Sequence, residues 1–301
     1  MDLPQTLHVL HTSPALTVVD FTCACGPRHA SPEEASASTD FAFVRRGSFL
    51  KESEGRSLWV DPHRVLFHNT GEVGRVRHLV DGGDRCTIFR LSEDLTREVV
   101  ASHDAAGADR LTRPFTRPEA PADSRTYLLH HLLVAELEQG PGEPLRIQER
   151  TLDLLDAALG AARGSALRPR PRDAATQRRH RDLVQGAAEL LSRNLADPPD
   201  LAQMGQALDS SPFHLHRVFR ASTGLPVHRY LLSLRLRTAL ERLVGGARDL
   251  TALALDLGFS DHSHFTNAFR REFGCSPSAV RRLPWPTSAR KILQVRTPTE
   301  I

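Results

Sequence analysis

Between Leu183 and Arg282 the chain repeats a pattern that few folds accommodate. Leu201, Met204 and Leu208 recur at the 3.6-residue period of a helix buried on one side. A tight polar turn follows, then a second apolar stripe of Leu215, Val218 and Phe219 closed by Gly224. About fifty residues later Leu250, Leu253 and Leu257 lead through Gly258-Phe259-Ser260 to Phe265, Phe269 and Phe273, closed by Gly274. The second turn is one residue longer. One such copy means little, because any three-helix core imitates it. Two copies at this spacing point to paired helix-turn-helix units. A helix lined by Leu183, Ala187, Leu190 and Leu191 precedes them and ends before Asp197-Pro198-Pro199. Between the units, Val227 to Val244 reads as one helix, roughly 27 Å long at 1.5 Å per residue. That length would set two recognition helices about one DNA turn apart, near 34 Å.

Ser211 is a natural N-cap and Pro212 suits the first helical position. The face opposite the apolar stripe shows Phe213, His214, His216, Arg217 and Arg220, groups suited to base edges and phosphates. Charge supports the same end of the chain. The formal net charge of +3 hides an asymmetry: about 21 basic against 12 acidic residues from Arg168 onward, and 18 against 24 before it. A polyanion would bind the back half. Nearly all the basic residues are arginine, which fits bidentate contacts to phosphate and guanine but equally a GC-rich gene.

From Leu201 to Arg282 the chain resembles the DNA-binding domain of the AraC/XylS family of bacterial transcription regulators. Ser211-Pro-Phe-His-Leu-His-Arg-Val-Phe-Arg-Ala-Ser-Thr-Gly224 resembles its first recognition helix. Gly258-Phe-Ser-Asp-His-Ser-His-Phe-Thr-Asn-Ala-Phe-Arg-Arg-Glu-Phe-Gly-Cys-Ser-Pro277, running on to Val280-Arg281-Arg282, resembles its signature. Tyr230 and Leu234-Arg-Leu-Arg-Thr-Ala239 are similar to its linker helix. The resemblance implies an activator or repressor that reads double-stranded promoter DNA in two adjacent major grooves, through recognition helices near 211–222 and 260–273. It implies base contacts from Phe213, His216, Arg217, His262, Ser263, His264, Thr266 and Asn267, and phosphate contacts from Arg220, Arg229, Arg270 and Arg271. Arg217 suits guanine through its fork, and Asn267 suits adenine. Each arginine would serve equally as a solvated surface charge. One departure stands out: Asp209-Ser210 occupies a turn where the family usually has glycine and an apolar residue. Asp still adopts the left-handed conformation, so the expected result is an intact but less tightly packed first unit.

The front half reads differently. Leu16-Thr-Val-Val-Asp-Phe21, Phe41-Ala-Phe-Val44, Arg64-Val-Leu-Phe67 and Cys86-Thr-Ile-Phe-Arg-Leu91 are strand-like runs separated by Gly- and Asp-rich turns at 46–48, 69–71 and 81–84. They predict a small barrel or sandwich. With Arg46-Gly-Ser-Phe49, Asp61-Pro62, Thr70-Gly-Glu72, His78 and Gly82-Gly-Asp84, the region more loosely resembles the cupin-like sensing domain of many AraC-type regulators. A helical hairpin follows. Its first helix, capped by Asp123 or Ser124, carries Tyr127, Leu128, His131, Leu132, Ala135 and Leu137 to the turn Gly140-Pro141-Gly142. Its second runs from Pro144 to about Leu159, with Leu145, Leu152, Leu155 and Leu159 on one side. It would pack on the barrel, form a dimer surface, or both. The expected fold is thus a cupin-like β-barrel with a helical hairpin over 1–165, an exposed linker over 166–182, an all-α DNA-binding domain over 183–283 and a tail over 284–301.

Candidate metal ligands are Cys23, Cys25, His29, His63, His68, His78 and Cys86. Cys23-Ala-Cys25-Gly-Pro-Arg-His29 gathers soft and borderline donors in one loop, and His78 and Cys86 could complete a four-coordinate site. Isolated Cys and His in β-proteins usually just pack. A metal or thiol-sensing site, an organic effector in the barrel, and no effector at all therefore stand side by side, and DNA binding itself calls for no cofactor. An enzyme is not expected: the tighter His-x-His and Glu grouping of enzymatic cupins and the cysteine cluster of a repair methyltransferase are both missing from the sequence. The expected partners are promoter DNA, a second copy of the chain, RNA polymerase if the protein activates, and a small effector. No run of about 18 apolar residues predicts a membrane span, no secretory signal is visible, and four Cys make no disulfide framework. A bacterial cytoplasm, at the nucleoid, is the expected location.

Overall fold

The computed structural model describes residues 5–26, 29–78, 82–104, 113–140, 142–165 and 173–282. Strands β1 (Gln5–Thr12), β2 (Leu16–Cys23), β3 (Glu34–Ala35), β4 (Asp40–Gly47), β5 (Phe49–Ser53), β6 (Arg56–Val60), β7 (Arg64–His68), β8 (Val73–Arg77), β9 (Asp84–Leu91) and β10 (Glu119–Pro121) form two antiparallel sheets. One has the order β1-β2-β9-β4-β7-β10 and the other β3-β8-β5-β6. The four runs read as strands are all strands, at the centre of the larger sheet. Between the sheets and the helices beneath them Phe41, Phe43 and Phe89 interlock at ring-centroid distances of 5.0–6.2 Å. Strand β4 bulges at Arg45: Val44 faces Cys86 and Arg46 faces Arg85, leaving Arg45 opposite no residue of β9. A bulge of this kind re-aims the extra side chain, and here it turns a guanidinium inward.

A helix that the sequence reading lacks, α1 (Glu93–His103), follows β9; Ser92 caps it, and Glu93 and Asp94 suit the positive end of its dipole. The hairpin is α2 (Ser124–Glu138) and α3 (Pro144–Ser165). Its buried stripe on α3 is Ile147, Thr151, Leu154, Leu155, Ala158 and Ala162, whereas Leu145, expected on that side, is 60% exposed. Helix α4 (Ala174–Arg193), capped by Asp173, begins inside the segment expected to be a linker. The expected Arg168-Pro-Arg-Pro-Arg stretch, Pro141 of the hairpin turn, and the tail lie outside the described residues. Then come α5 (Leu201–Ala207), α6 (Pro212–Thr223), α7 (Val227–Val244), α8 (Leu250–Asp256), α9 (His262–Phe273) and α10 (Pro277–Arg282). Among the described residues no helix is long and apolar enough to cross a membrane.

The two halves share their cores. Leu133 and Leu137 of α2 pack with α3 against the sheets, while Tyr127, Leu128 and Leu132 join Leu236, Leu240, Phe265 and Phe269. Polar groups reinforce this junction. Arg45, 1% exposed, meets Asp20 at 3.3 Å, Glu138 at 3.3 Å and Glu241 of α7 at 3.1 Å. Arg237 of α7 donates to the carbonyls of Pro62 (2.5 Å) and Ala122 (2.7 Å), with its guanidinium 4.5 Å from the Tyr127 ring. The Tyr230 hydroxyl donates to buried Asp61, and the Tyr230 ring stacks on His63 at 4.2 Å. Burial alone would raise the Asp61 pKa; His63 and the Tyr230 hydrogen bond hold it below the usual carboxylate range.

Tyr230→Phe should therefore cost about 1.5–3 kcal/mol, the worth of a hydrogen bond to a buried charge, read by denaturant unfolding. Because Asp61 titrates lower in the folded chain, its stabilisation is present above the unfolded carboxylate pKa and lost as pH falls through the folded value. The acid side of the stability curve should accordingly be shallower in Tyr230→Phe. An unchanged curve would show that this contact carries no energy.

Candidate nucleic-acid interface

Each helix of the paired units starts on a side-chain cap. Asp200 accepts from the Ala202 and Gln203 amides at 2.8 Å each, and Gln203 Oε1 reaches back to the Asp200 amide at 2.9 Å, which closes a capping box. Asp249 caps α8 in the same way, at 2.9 Å to the Thr251 and Ala252 amides. Ser211 accepts from the His214 amide at 3.2 Å and Asp261 from the His264 amide at 2.7 Å. Both recognition helices stop at a left-handed glycine, Gly224 (φ 81°) and Gly274 (φ 73°). The turns differ as expected: residues 208–211 in the first, 257–261 in the second. Asp209 takes the left-handed conformation at φ 49°, where the second unit has Gly258 at 77°.

With Leu215, Val218 and Phe219 buried on α6, and Phe265, Phe269 and Phe273 on α9, the opposite faces are left to solvent. Phe213 is 76% exposed, so its ring is open to a partner. Arg217, Arg220, His262, Ser263, His264, Asn267, Arg270 and Arg271 are exposed, while His216 and Thr266 are half-buried. Local contacts orient several of these groups: Arg217 Nη2 lies 3.4 Å from His214 Nδ1, His264 Nδ1 3.1 Å from Ser260 Oγ, and Thr266 Oγ1 3.4 Å from His262 Nε2. Arg229, at the start of α7, joins His264, Asn267 and Arg271 around a cleft of about 270 Å³. The cleft thus combines groups expected at bases with groups expected at phosphates.

Sequence reasoning missed the residue that fixes the two units together. Arg235 of α7 donates to the carbonyls of Leu195 (2.7 Å), Ala196 (3.2 Å) and Gly258 (3.0 Å). It ties the entry to the first unit to the turn of the second. Gly258 is crowded there: a Cβ would sit 2.4 Å from the Ala196 carbonyl oxygen. Glu272 of α9 makes a different tie, from the second unit to the front half and to α7, accepting from Ser124 (2.5 Å) and Ser233 (3.1 Å). Both residues are half-buried, so a search for fully exposed contact groups passes over them.

Of the metal-ligand candidates, Cys23, Cys25 and His78 converge, whereas His29 and Cys86 are not part of that cluster. Cys23 and Cys25 are joined as a disulfide. His63 is engaged with Asp61, and His68 Nδ1 lies 2.7 Å from Asp40.

Residues 204–283 match the model of a family described as a helix-turn-helix domain, which defines the class of this segment. The HTH-type transcriptional activator RhaS of Escherichia coli (strain SE11) is 37% identical over 92 residues, 31% of this chain and 33% of that protein. RhaS of Escherichia fergusonii is 44% identical over 68 residues, 23% of this chain and 24% of that protein. The chain thus spans a third or less of the length of these curated relatives. The C-terminal segment is thus a helix-turn-helix domain similar to that of the RhaS activators. Among solved structures, an AraC-type DNA-binding domain-containing regulator from Chromobacterium violaceum aligns at 25% identity and TM-score 0.33, covering 38% of this chain and all of that one. ToxT from Vibrio cholerae O395 aligns at 10% identity and TM-score 0.35, covering 88% of this chain and 96% of its own.

Removing the Arg235 clamp should cost about 1.5–3 kcal/mol, since carbonyls on both units lose one charged donor. Denaturant midpoints of Arg235→Ala and Arg235→Lys test this, and the lysine variant should recover only part of the loss. Asp209→Gly should stabilise the chain by about 0.5–1 kcal/mol, because the relieved left-handed strain exceeds the added chain entropy. A lower melting temperature would mean that the aspartate makes a compensating contact.

Proposed function

We propose that the protein is a promoter-binding transcription regulator in which α6 and α9 enter adjacent major grooves while the front domain governs their use. One observation carries this reading: two capped helices, α6 and α9, each with one face buried and the other exposed, flank α7, whose Arg235 ties the segment before the first unit to the turn of the second. Phe213, His216 and Arg217 contact bases from the first helix, and His262, Ser263, His264, Thr266 and Asn267 from the second. Arg220, Arg229, Arg270 and Arg271 hold phosphates, which set register without reading sequence. The shared cleft of Arg229, His264, Asn267 and Arg271 supports that division of labour.

The front domain supplies control and not catalysis in this reading. The space beneath its larger sheet is filled by Phe41, Phe43, Phe67 and Phe89, each at most 1% exposed. A cleft of about 330 Å³ opens instead beside α1 and α3, lined by Val100, His103, Phe115, Leu159 and Arg163 among others. A small effector would bind there and not inside the barrel. Edge strand β1, with Leu7 64% and Val9 55% exposed, is the surface on which a second copy would pair. RNA polymerase is the further partner if the effect is activation, and the nucleoid is the place of action.

Footprinting on selected DNA should show protection of two successive major grooves per chain. Arg217→Ala should lose about 1–3 kcal/mol at one base pair and little on a site already changed at that pair. An equal loss on random DNA would overturn base reading by Arg217. Protection of a single groove would overturn the two-unit arrangement.

A further inference from the structure

The loop after β2 meets the loop before β9 in a small, enclosed group of donors. The sulfurs of Cys23 and Cys25 and a ring nitrogen of His78 lie within 4.8 Å of one another. All three residues are buried, at 1%, 4% and 3% exposure. His78 Nε2 is held at 2.5 Å by Asp84 Oδ1, whereas Nδ1 is buried with no hydrogen-bond partner among the described residues. A buried imidazole nitrogen left without a partner costs free energy unless something binds it. A metal-bound histidine shows this same arrangement, one nitrogen on the ion and the other on a carboxylate that fixes the ring. Asp84, 2% exposed, is itself steadied by the Cys86 thiol at 3.2 Å.

The backbone is shaped to hold these groups together. Cys23 pairs directly with Asp84 across β2 and β9. Gly83, at φ +61°, passes so close that a Cβ would sit 1.8 Å from the Cys23 carbonyl oxygen. Gly47 is crowded in turn against Gly83, a Cβ there lying 2.1 Å from the Gly83 carbonyl oxygen. Side chains at either glycine would push the two loops apart. The Gly82-Gly83-Asp84 turn is therefore built for close approach to the cysteine loop.

We propose that Cys23, Cys25 and His78 form a zinc site, open when the two cysteines are reduced. Two thiolates and an imidazole match the soft and borderline donor set that zinc takes, at about 2.3 Å to sulfur and 2.0–2.1 Å to nitrogen. The fourth position falls to a solvent or exogenous donor. A dithiol reductant opens the Cys23–Cys25 disulfide by giving two electrons and two protons and becoming a cyclic disulfide itself. Zinc then displaces the two thiol protons, so the divalent ion and two thiolates form a neutral unit in a buried place. Disulfide and metal exclude each other, since both use the same sulfur electron pairs.

The test uses the full chain, reduced with dithiothreitol, freed of reductant under anaerobic conditions and mixed with zinc chloride. One zinc per chain should survive gel filtration, and none should bind the disulfide form. His78→Ala should lose the ion, Asp84→Asn should weaken it about 10- to 100-fold, and Cys275→Ser should retain it. Zinc should also protect Cys23 and Cys25 of the unaltered chain from alkylation, mapped by mass spectrometry, which keeps the test independent of variant folding. Failure of the reduced chain to retain zinc, unaltered retention by a folded His78→Ala variant, or alkylation of both cysteines despite bound zinc would each overturn the site. None of these outcomes depends on DNA binding.

Discussion

Helix α7 is buried on nearly every side, and the rest of the molecule is arranged around that fact. Val227, Tyr230, Leu236, Ala239, Leu240 and Leu243 belong to apolar clusters that draw on both halves of the chain. A helix surrounded in this way has no face left on which to slide. Arg235 and Arg237, two positions apart, project about 200° apart around the axis and hold opposite sides. One ties the two helix-turn-helix units together and the other takes two carbonyls of the front domain. The spacing of the readers and their attachment to the front domain are thus properties of a single rigid element.

That arrangement gives the ionic groups at the junction their importance. Arg45 is buried because a bulge turns it inward, and its cost is offset only while Asp20, Glu138 and Glu241 surround it. Beside it, burial and the charge of Arg45 push the His130 pKa well below its ordinary value; burial, His130 and Arg45 do the same to His131. Two neutral imidazoles beside the guanidinium groups of Arg45 and Arg237 avoid adding further buried positive charge. The junction is specific and depends on all its partners being present, so the halves behave as one packed body.

The parts legible in the sequence are those governed by local rules. Ser211-Pro212, Gly224 and Gly274 mark helix ends through capping and left-handed backbone, which nearest neighbours decide. The phenylalanine stripe of α9 announces its buried face by period alone, and so names the exposed face as well. Leu145 failed for a related reason: its period fits two adjacent stripes on α3, and only the position of the sheets selects Ile147 and Leu154. The run from Gly160 to Asp182 looks irregular because arginine and alanine carry no apolar period, yet both are good helix formers, and α4 starts within it. Cys23, Cys25 and His78 were visible as residue types. Their convergence was not, because it depends on a turn of glycines crossing another loop.

What the sequence determined by itself is the pair of helix-turn-helix units: the Ser211 cap, the glycine stops, the unequal turns and the buried stripe of each. Those follow from short-range backbone chemistry and from hydrophobic period, which a chain carries wherever it is placed. Tertiary structure decided the rest. It placed Arg235 over three carbonyls from distant segments, put α2 between the two cores, and brought His78 to the cysteines. Each of these joins residues separated by tens to hundreds of positions, and the packing that brings them together is a property of the whole fold.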